Sequence, residues 1–288
     1  MNISAYVIAY NNQQYLSEVI QSILKQDIQI LEIIIIDDGS NPPISSDFLE
    51  YHPKIISLHR NEQNMGRGYS RHKAMKLCKG DFVLCVDSTN TIEKNFVSKL
   101  LKYFDDESVA STYGQLYVSD KKNFLNRWKA RHLFKEGQDT GGTVPTDILI
   151  TYGTIIKRDH YNLCGGFNKN LRYNEDKELG MKFVKNGFHM IGDSEAKIYS
   201  LKQDTFFSLM ERYSRWYMDS NETPKFKAYL HNIKASLNPM VKMDLKALDL
   251  PSALFSLMTP HFQLFHSIFI YLKMRFPKRR GSNEQSSC

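Results

Sequence analysis

The chain has 288 residues, of which 42% are hydrophobic and 24% charged; this is the composition of a folded protein with one large domain and an appendage, or two small domains, and it excludes a disordered chain. A net charge of +7 calls for anionic partners without choosing between nucleotide phosphates, nucleic acid and an anionic membrane. The basic residues are spread along the chain with no nucleic-acid motif among them, so nucleic acid is set aside.

In chain order, Ile3–Ala9 reads as a strand, entered without a basic region and a cleavage site, so the expected place of the catalytic part is the cytoplasm. Gln14–Lys25 carries Leu16, Val19, Ile20 and Ile23 at helical spacing. Glu32–Ile36 is an apolar, β-branched run of the kind buried on both faces of a parallel sheet, and it stops at Asp37-Asp38-Gly39-Ser40. A short strand over 55–58, a helix over 68–79 ended by Gly80, and a buried strand over 82–86 that stops at Asp87 complete an alternating strand and helix pattern. That pattern predicts a doubly wound α/β sheet with its ligands at the carboxyl ends of the strands. Those ends carry Tyr10-Asn11, Asp37-Asp38 and Asp87.

Beyond them, Lys135–Thr146 reads as a loop beside the site and Ile148–Lys157 as a strand. Gly165-Gly166-Phe167 reads as a tight turn and Glu175–Lys185 as a helix ended by Gly187. From about Pro224 the α/β pattern fades. Leu250–Leu272 contains no Lys, Arg, Asp or Glu and is followed by Lys273, Arg275, Lys278, Arg279 and Arg280. Its length would span a bilayer, but Pro251, Pro260, His261, Gln263 and His266 interrupt it and are expected to break the helix, which favours an element lying at a membrane surface. The alternative is a helix packed on protein. Cys78, Cys85, Cys164 and Cys288 lack metal-ligand spacing and read as reduced thiols.

Five local patterns in order resemble family 2 glycosyltransferases over roughly the first three quarters of the chain. They are Ala9-Tyr10-Asn11, Asp37-Asp38-Gly39-Ser40, Asn64-Met65-Gly66 leading to Arg71, Gly165-Gly166-Phe167 with Asn174-Glu175-Asp176, and Arg212-Tyr213-Ser214-Arg215-Trp216. The resemblance implies a GT-A type catalytic domain over 1–222, a mixed sheet flanked by helices, with a helical extension over 223–288. It also implies transfer of a sugar from a nucleoside-diphosphate sugar to a hydroxyl of a glycan or lipid-linked acceptor, by direct displacement with inversion, in polysaccharide or glycolipid assembly at the inner face of a membrane.

Residue roles follow from the same resemblance. Ala9, Tyr10, Asn11, Asp37, Asp38, Arg71 and Asp87 would hold the nucleotide, with Tyr10 and Arg71 stacking on or edging the base. For Asp37-Asp38 a turn and helix cap is the other reading, and for Arg71 a helix surface charge. Asp176 would be the base that takes the acceptor proton, with Glu175 orienting or binding sugar; otherwise both complement a helix dipole. Gly165, Gly166, Lys202, Arg212, Arg215 and Trp216 would serve the diphosphate or the acceptor. No organic cofactor is implied. Relatives hold Mg²⁺ or Mn²⁺ on an Asp-x-Asp motif, whereas here Asp87-Ser88-Thr89 has lost its second acid and 198–202 has no His. Metal dependence is therefore expected to be weaker than in relatives, with cationic side chains carrying part of the diphosphate charge.

A sugar nucleotidyltransferase would want a Gly-rich, Arg/Lys-bearing loop where Ala9-Tyr10-Asn11-Asn12 stands. A catalytically silent binding module is favoured by Thr89 and Ser200 and opposed by Asp176 and Arg212–Trp216.

Overall fold

A computed structural model describes residues 2–47, 55–136, 143–217 and 226–275. Cys288, the basic residues 278–280 and the middle of the predicted loop over 135–146 lie outside the described residues. In chain order the elements are β1 (Ile3–Ala9), α1 (Leu16–Leu24), β2 (Glu32–Asp37), β3 (Ile56–Arg60), α2 (Arg67–Leu77), β4 (Phe82–Asp87), β5 (Asn90–Ile92), α3 (Phe96–Leu101) and β6 (Val109–Val118). There follow α4 (Phe124–Trp128), β7 (Thr143–Thr146), β8 (Gly153–Lys157), α5 (Arg158–Leu163), α6 (Glu175–Lys185), β9 (His189–Ser200), α7 (Phe206–Tyr217), α8 (Phe226–Ala235), α9 (Lys242–Lys246) and α10 (Leu250–Arg275).

The chain divides into two compact units, 1–119 with 136–202, and 120–135 with 203–288. The division falls after Lys202, earlier than the sequence boundary at 222, and it gives 120–135 to the helical unit. The first unit is built on a sheet in the order β3-β2-β1-β4-β8-β6-β9-β5, with β7 on β9. β3, β2, β1 and β4 run parallel. β8 is antiparallel to both β4 and β6, which makes the sheet mixed. Ile33, Ile35 and Ile36 are wholly buried, as a strand covered on both faces must be. On one face Tyr6, Ile34, Val83 and Cys85 pack with Met75 of α2, Phe167, and Leu179 and Phe183 of α6. Cys78, Cys85 and Cys164 are free, buried thiols, and burial pushes the Cys85 thiol up to about 12.

The helical unit is held by buried charge. Asp249 accepts from Arg127 Nε at 2.8 Å and Arg131 at 2.5 Å, and Asp244 accepts from Arg131 Nε at 2.8 Å. The hydrogen bond from Arg127, with those from Arg131 and Ser252, holds the Asp249 carboxyl well below the ordinary range against the opposing effect of burial. Because its folded pKa is depressed, Asp249 contributes stability that is present above the unfolded value of about 3.9 and is lost as pH falls toward the folded one. Asp249→Asn is expected to lower the urea midpoint at pH 7, and the gap from wild type should narrow below about pH 4. A gap independent of pH would refute this.

One expectation about this unit is corrected. Pro260 does not break α10, which runs unbroken through it. A proline at 260 cannot donate to the carbonyl of Ser256. That oxygen accepts instead from Ser236 Oγ at 2.6 Å and Thr259 Oγ1 at 2.8 Å. Pro251 sits in the first turn, where its missing N–H costs nothing.

Candidate active site

The parallel strands deliver Asp37, Asp38 and Asp87 to one edge of the sheet, but not to equal roles. Asp37 and Asp38 are both buried. Asp37 accepts from the Ser40 N–H at 2.8 Å and the Ile44 N–H at 3.3 Å and pairs with Arg60. Burial works to raise its pKa, and these hydrogen bonds and Arg60 overcome it, leaving the carboxyl below its ordinary value. Asp38 accepts from Asn61 Nδ2 at 2.8 Å, the Met65 N–H at 2.9 Å and the Gly66 N–H at 3.0 Å. The pair therefore fixes the loops that follow β2 and β3, as the turn reading has it. Of the residues after β1, Ala9 is buried and its carbonyl accepts from the Asp38 N–H. Asn11 takes a left-handed φ of 52°, donates its N–H to Ser40 Oγ and accepts from the Asn41 N–H. Tyr10 alone of these three presents an exposed ring.

Asp38 also aims α2. With Met65 and Gly66 clamped, the first turn of α2 lies against the loop before α6: the Arg67 N–H donates to the Arg172 carbonyl and the Gly68 N–H to the Leu171 carbonyl at 3.1 Å. A Cβ at Gly68 would stand 2.3 Å from the Leu171 oxygen, so only glycine permits this approach. The approach places Arg71, one turn on, beside the start of α6.

Arg71 is the centre of the site. Its side chain is 5% exposed and its Nη1 bonds the Glu175 carboxylate, itself 1% exposed. Nη2 reaches Asp87 Oδ1 at 3.3 Å, and Asp176 Oδ2 lies 4.0 Å from Nη1. Burial opposes the charge on Arg71, but Tyr6 and the three carboxylates around it outweigh that and hold its pKa above the ordinary value. The expectation that Arg71 stacks on a base is corrected: a guanidinium this deep needs carboxylates around it and has no free face. The surface-charge alternative falls with it. Burial also raises the Glu175 carboxyl despite Arg71, and its second oxygen has no hydrogen-bond partner among the described residues. Asp176, in contrast, is 32% exposed. It stands in the first turn of α6, where the helix dipole favours a carboxylate, and the Thr151 hydroxyl donates to it at 3.4 Å. Sequence reasoning missed Thr151, because it lies inside a stretch read as strand; the strand begins only at Gly153.

Gly165 and Gly166 are corrected as well. Their N–H groups donate to the Asn162 and Tyr161 carbonyls at 3.0 and 2.9 Å, which caps the end of α5 and leaves neither for a phosphate. A Cβ at Gly166 would meet the Tyr161 ring at 2.4 Å. Lys202 closes the first unit, partly buried just after β9. In the helical unit, Arg212 pairs at 3.2 Å with Asp204, a wholly buried carboxylate that Lys129 also binds at 3.1 Å. Its charge is thereby matched at home, against the expectation of a diphosphate contact. Arg215 is half-exposed and lies 3.6 Å from Glu211, and Trp216 is half-exposed beside Phe134.

For a divalent cation the test is the donor set. Asp87 is 45% exposed at the end of β4. Among the described residues no group of three His, Cys, Asp or Glu is arranged to hold a metal. One carboxylate with phosphate oxygens and water suits Mg²⁺, which is commonly bound through one or two carboxylates and substrate phosphates. The residues thus fit a cation that arrives with a diphosphate, and do not fit a preformed protein cage.

The sheet is mixed with carboxylates gathered at its strand ends, and solved structures give it a GT-A type fold. S. aureus TarS 1–349 in complex with UDP matches 96% of this chain and 91% of its own with a TM-score of 0.57 at 17% identity. A mannosyltransferase from Pyrobaculum calidifontis in complex with GDP-Man and Mn²⁺ matches 96% of this chain and 75% of its own, with a TM-score of 0.54 at 15% identity. The family model described as glycosyl transferase family 2 matches residues 4–164, more than half the chain, and the protein belongs to that family. A glucosyl-dolichyl phosphate glucuronosyltransferase of Haloferax volcanii is 30% identical over 196 residues, which are 62% of this chain and 60% of that protein. A hyaluronan synthase of Streptococcus pyogenes is 30% identical over 134 residues, 43% of this chain and 32% of that one. The chain thus matches less than two thirds of the length of these relatives.

Proposed function

We propose that this protein is an inverting glycosyltransferase that moves a sugar from a nucleoside-diphosphate sugar to a hydroxyl of a glycan or lipid-linked acceptor at a membrane surface. One observation carries the reading: a single buried guanidinium holds two partly exposed carboxylates, Asp87 from the end of β4 and Asp176 from the start of α6. Asp87 faces the edge where doubly wound sheets take nucleotides. Asp176 is the base, since it combines exposure with a helix N-terminus and a hydroxyl donor that orients it. Glu175 is buried under them and positions Arg71. As the bond at the sugar C1 breaks, the acceptor oxygen attacks and its proton passes to Asp176; one base and one displacement give inversion. Tyr10 offers its ring to the base of the nucleotide. Asp87 would hold Mg²⁺ or Mn²⁺ jointly with the diphosphate, and the cation would offset the leaving group's charge. Lys202, at the end of the first unit, is a candidate cation for that task.

A thermal-shift screen against UDP, GDP, dTDP and CMP sugars, each with Mn²⁺ and with EDTA, tests this. One nucleotide is expected to stabilise the fold, by about 2.7 kcal/mol at a hundredfold excess over its Kd. Mn²⁺ alone should do nothing, while Mn²⁺ with that nucleotide should add to the shift. Stabilisation by Mn²⁺ alone would contradict the single-carboxylate reading, and no response to any sugar nucleotide would sink the proposed activity. Product formation with the stabilising donor separates a transferase from a silent binding module.

A further inference from the structure

Helix α10 buries polar side chains and leaves large apolar ones exposed. Ser252, Ser256, Thr259 and Gln263 are buried against the helical unit. They are not idle there: Ser256 Oγ accepts from Trp128 Nε1 at 2.8 Å and donates to Asp244 at 2.6 Å, and Ser252 Oγ donates to Asp249 at 2.9 Å. Phe255 is buried beside them, but other large apolar side chains point the other way. Leu254, Met258, Phe265, Phe269 and Leu272 recur at helical spacing and are all exposed, Phe265 by 70% and Phe269 by 65%. A helix that buries four polar side chains while Phe265 and Phe269 stay exposed has an unpartnered apolar face, and such a face marks an interaction surface. His261, the polar residue in this stripe, is tied down by a hydrogen bond to the Tyr229 hydroxyl at 2.9 Å.

We infer that this face docks on an anionic lipid surface, with α10 lying in the plane of the headgroups. The inference deepens, and rests on, the membrane-surface part of the proposed function. Charge chooses the occupant. From Leu250 to Arg280 the chain has no acidic residue, and its cations gather at one end: Lys273, Arg275, Lys278, Arg279 and Arg280. An apolar stripe that ends in a basic cluster complements acyl chains beneath anionic headgroups. A second copy of the chain would bring the same cluster with the same sign. Among the described residues no helix is long and apolar enough to cross a membrane, so the face is met from one side.

The experiment is co-sedimentation of the full chain with vesicles of phosphatidylcholine alone and of phosphatidylcholine with phosphatidylglycerol. Binding to the anionic vesicles is expected to be strong, to weaken in high salt, and to fall by roughly tenfold or more in Phe265→Ser/Phe269→Ser. Both side chains are mostly exposed, and circular dichroism should show the helix content unchanged. Lys273→Gln/Arg275→Gln should weaken binding to anionic vesicles alone. Equal binding by wild type and the phenylalanine variant overturns the inference. So does absence of vesicle binding accompanied by a dimer in sedimentation velocity that the phenylalanine variant abolishes, which would assign the face to a second copy. Vesicle binding needs neither donor nor acceptor. Its failure therefore leaves sugar transfer standing, and a protein that binds vesicles but transfers no sugar leaves this inference standing.

Discussion

Arg71→Met is expected to cost about 3–5 kcal/mol of folding free energy, the penalty for removing one partner of a buried ion pair. Glu175 is almost inaccessible to water, and among the described residues Arg71 is the charge that bonds it. Without it the carboxylate either stays charged in a poorly polarisable setting or takes up a proton, and both are unfavourable. Asp87 and Asp176 lose less, because water reaches them. A second variant separates the ion pair from the packing of the side chain. Glu175→Met in the same chain removes the stranded carboxylate, and the double variant should recover a large part of the loss. Urea unfolding of the two variants beside wild type measures this. A loss below about 1 kcal/mol in Arg71→Met would mean that the guanidinium is not what holds α2 to α6.

Asp176→Asn is expected to lower turnover by about 10²–10⁴-fold while leaving affinity for the sugar nucleotide nearly unchanged. The amide keeps the volume, and it can keep the contact with the Thr151 hydroxyl, but it takes no proton at neutral pH. The donor is held elsewhere in this reading, at the ends of β1 and β4, so its binding does not depend on the lost charge. Isothermal titration with the nucleotide and initial rates with the full substrate pair give the two numbers. Near-normal turnover would remove Asp176 from the role of base, and a parallel loss of nucleotide affinity would move it to the donor side.

Strand ends were easy to read from the sequence. Glu32–Ile36 and Phe82–Val86 are apolar runs that stop abruptly at aspartates, and a carboxylate needs the hydrogen-bond donors or the water that a strand end offers. Contacts distant in sequence were not legible. Arg71 and Glu175 are 104 residues apart, and nothing in the spacing of either segment says that they meet; the contact depends on Gly68 admitting a carbonyl where any side chain would stand. Gly165-Gly166 was visible as a turn, yet whether its amides face a ligand or a helix end depends on where α5 stops. Arg212 carried a motif whose partner, Asp204, lies eight residues away and became apparent only once its burial was known. In α10, the sequence shows a stretch without charge, but not which side of the helix faces the protein, because Ser and Thr are counted as polar whether they meet water or Asp244.

Pro260 has a consequence for what α10 can do as a piece of chain. In an ordinary helix each interior carbonyl finds its partner within the same segment, so the segment is self-sufficient and can be moved whole. Here the Ser256 carbonyl takes one of its two donors from Ser236, and the hydroxyl of Ser256 depends on Asp244 and Trp128. Those bonds belong to other helices. Withdrawn from them into hydrocarbon, α10 would leave the Ser256 carbonyl with Thr259 alone and the Ser256 hydroxyl without its partners. It is therefore not a detachable anchor: whatever it rests against, it takes the whole helical unit with it.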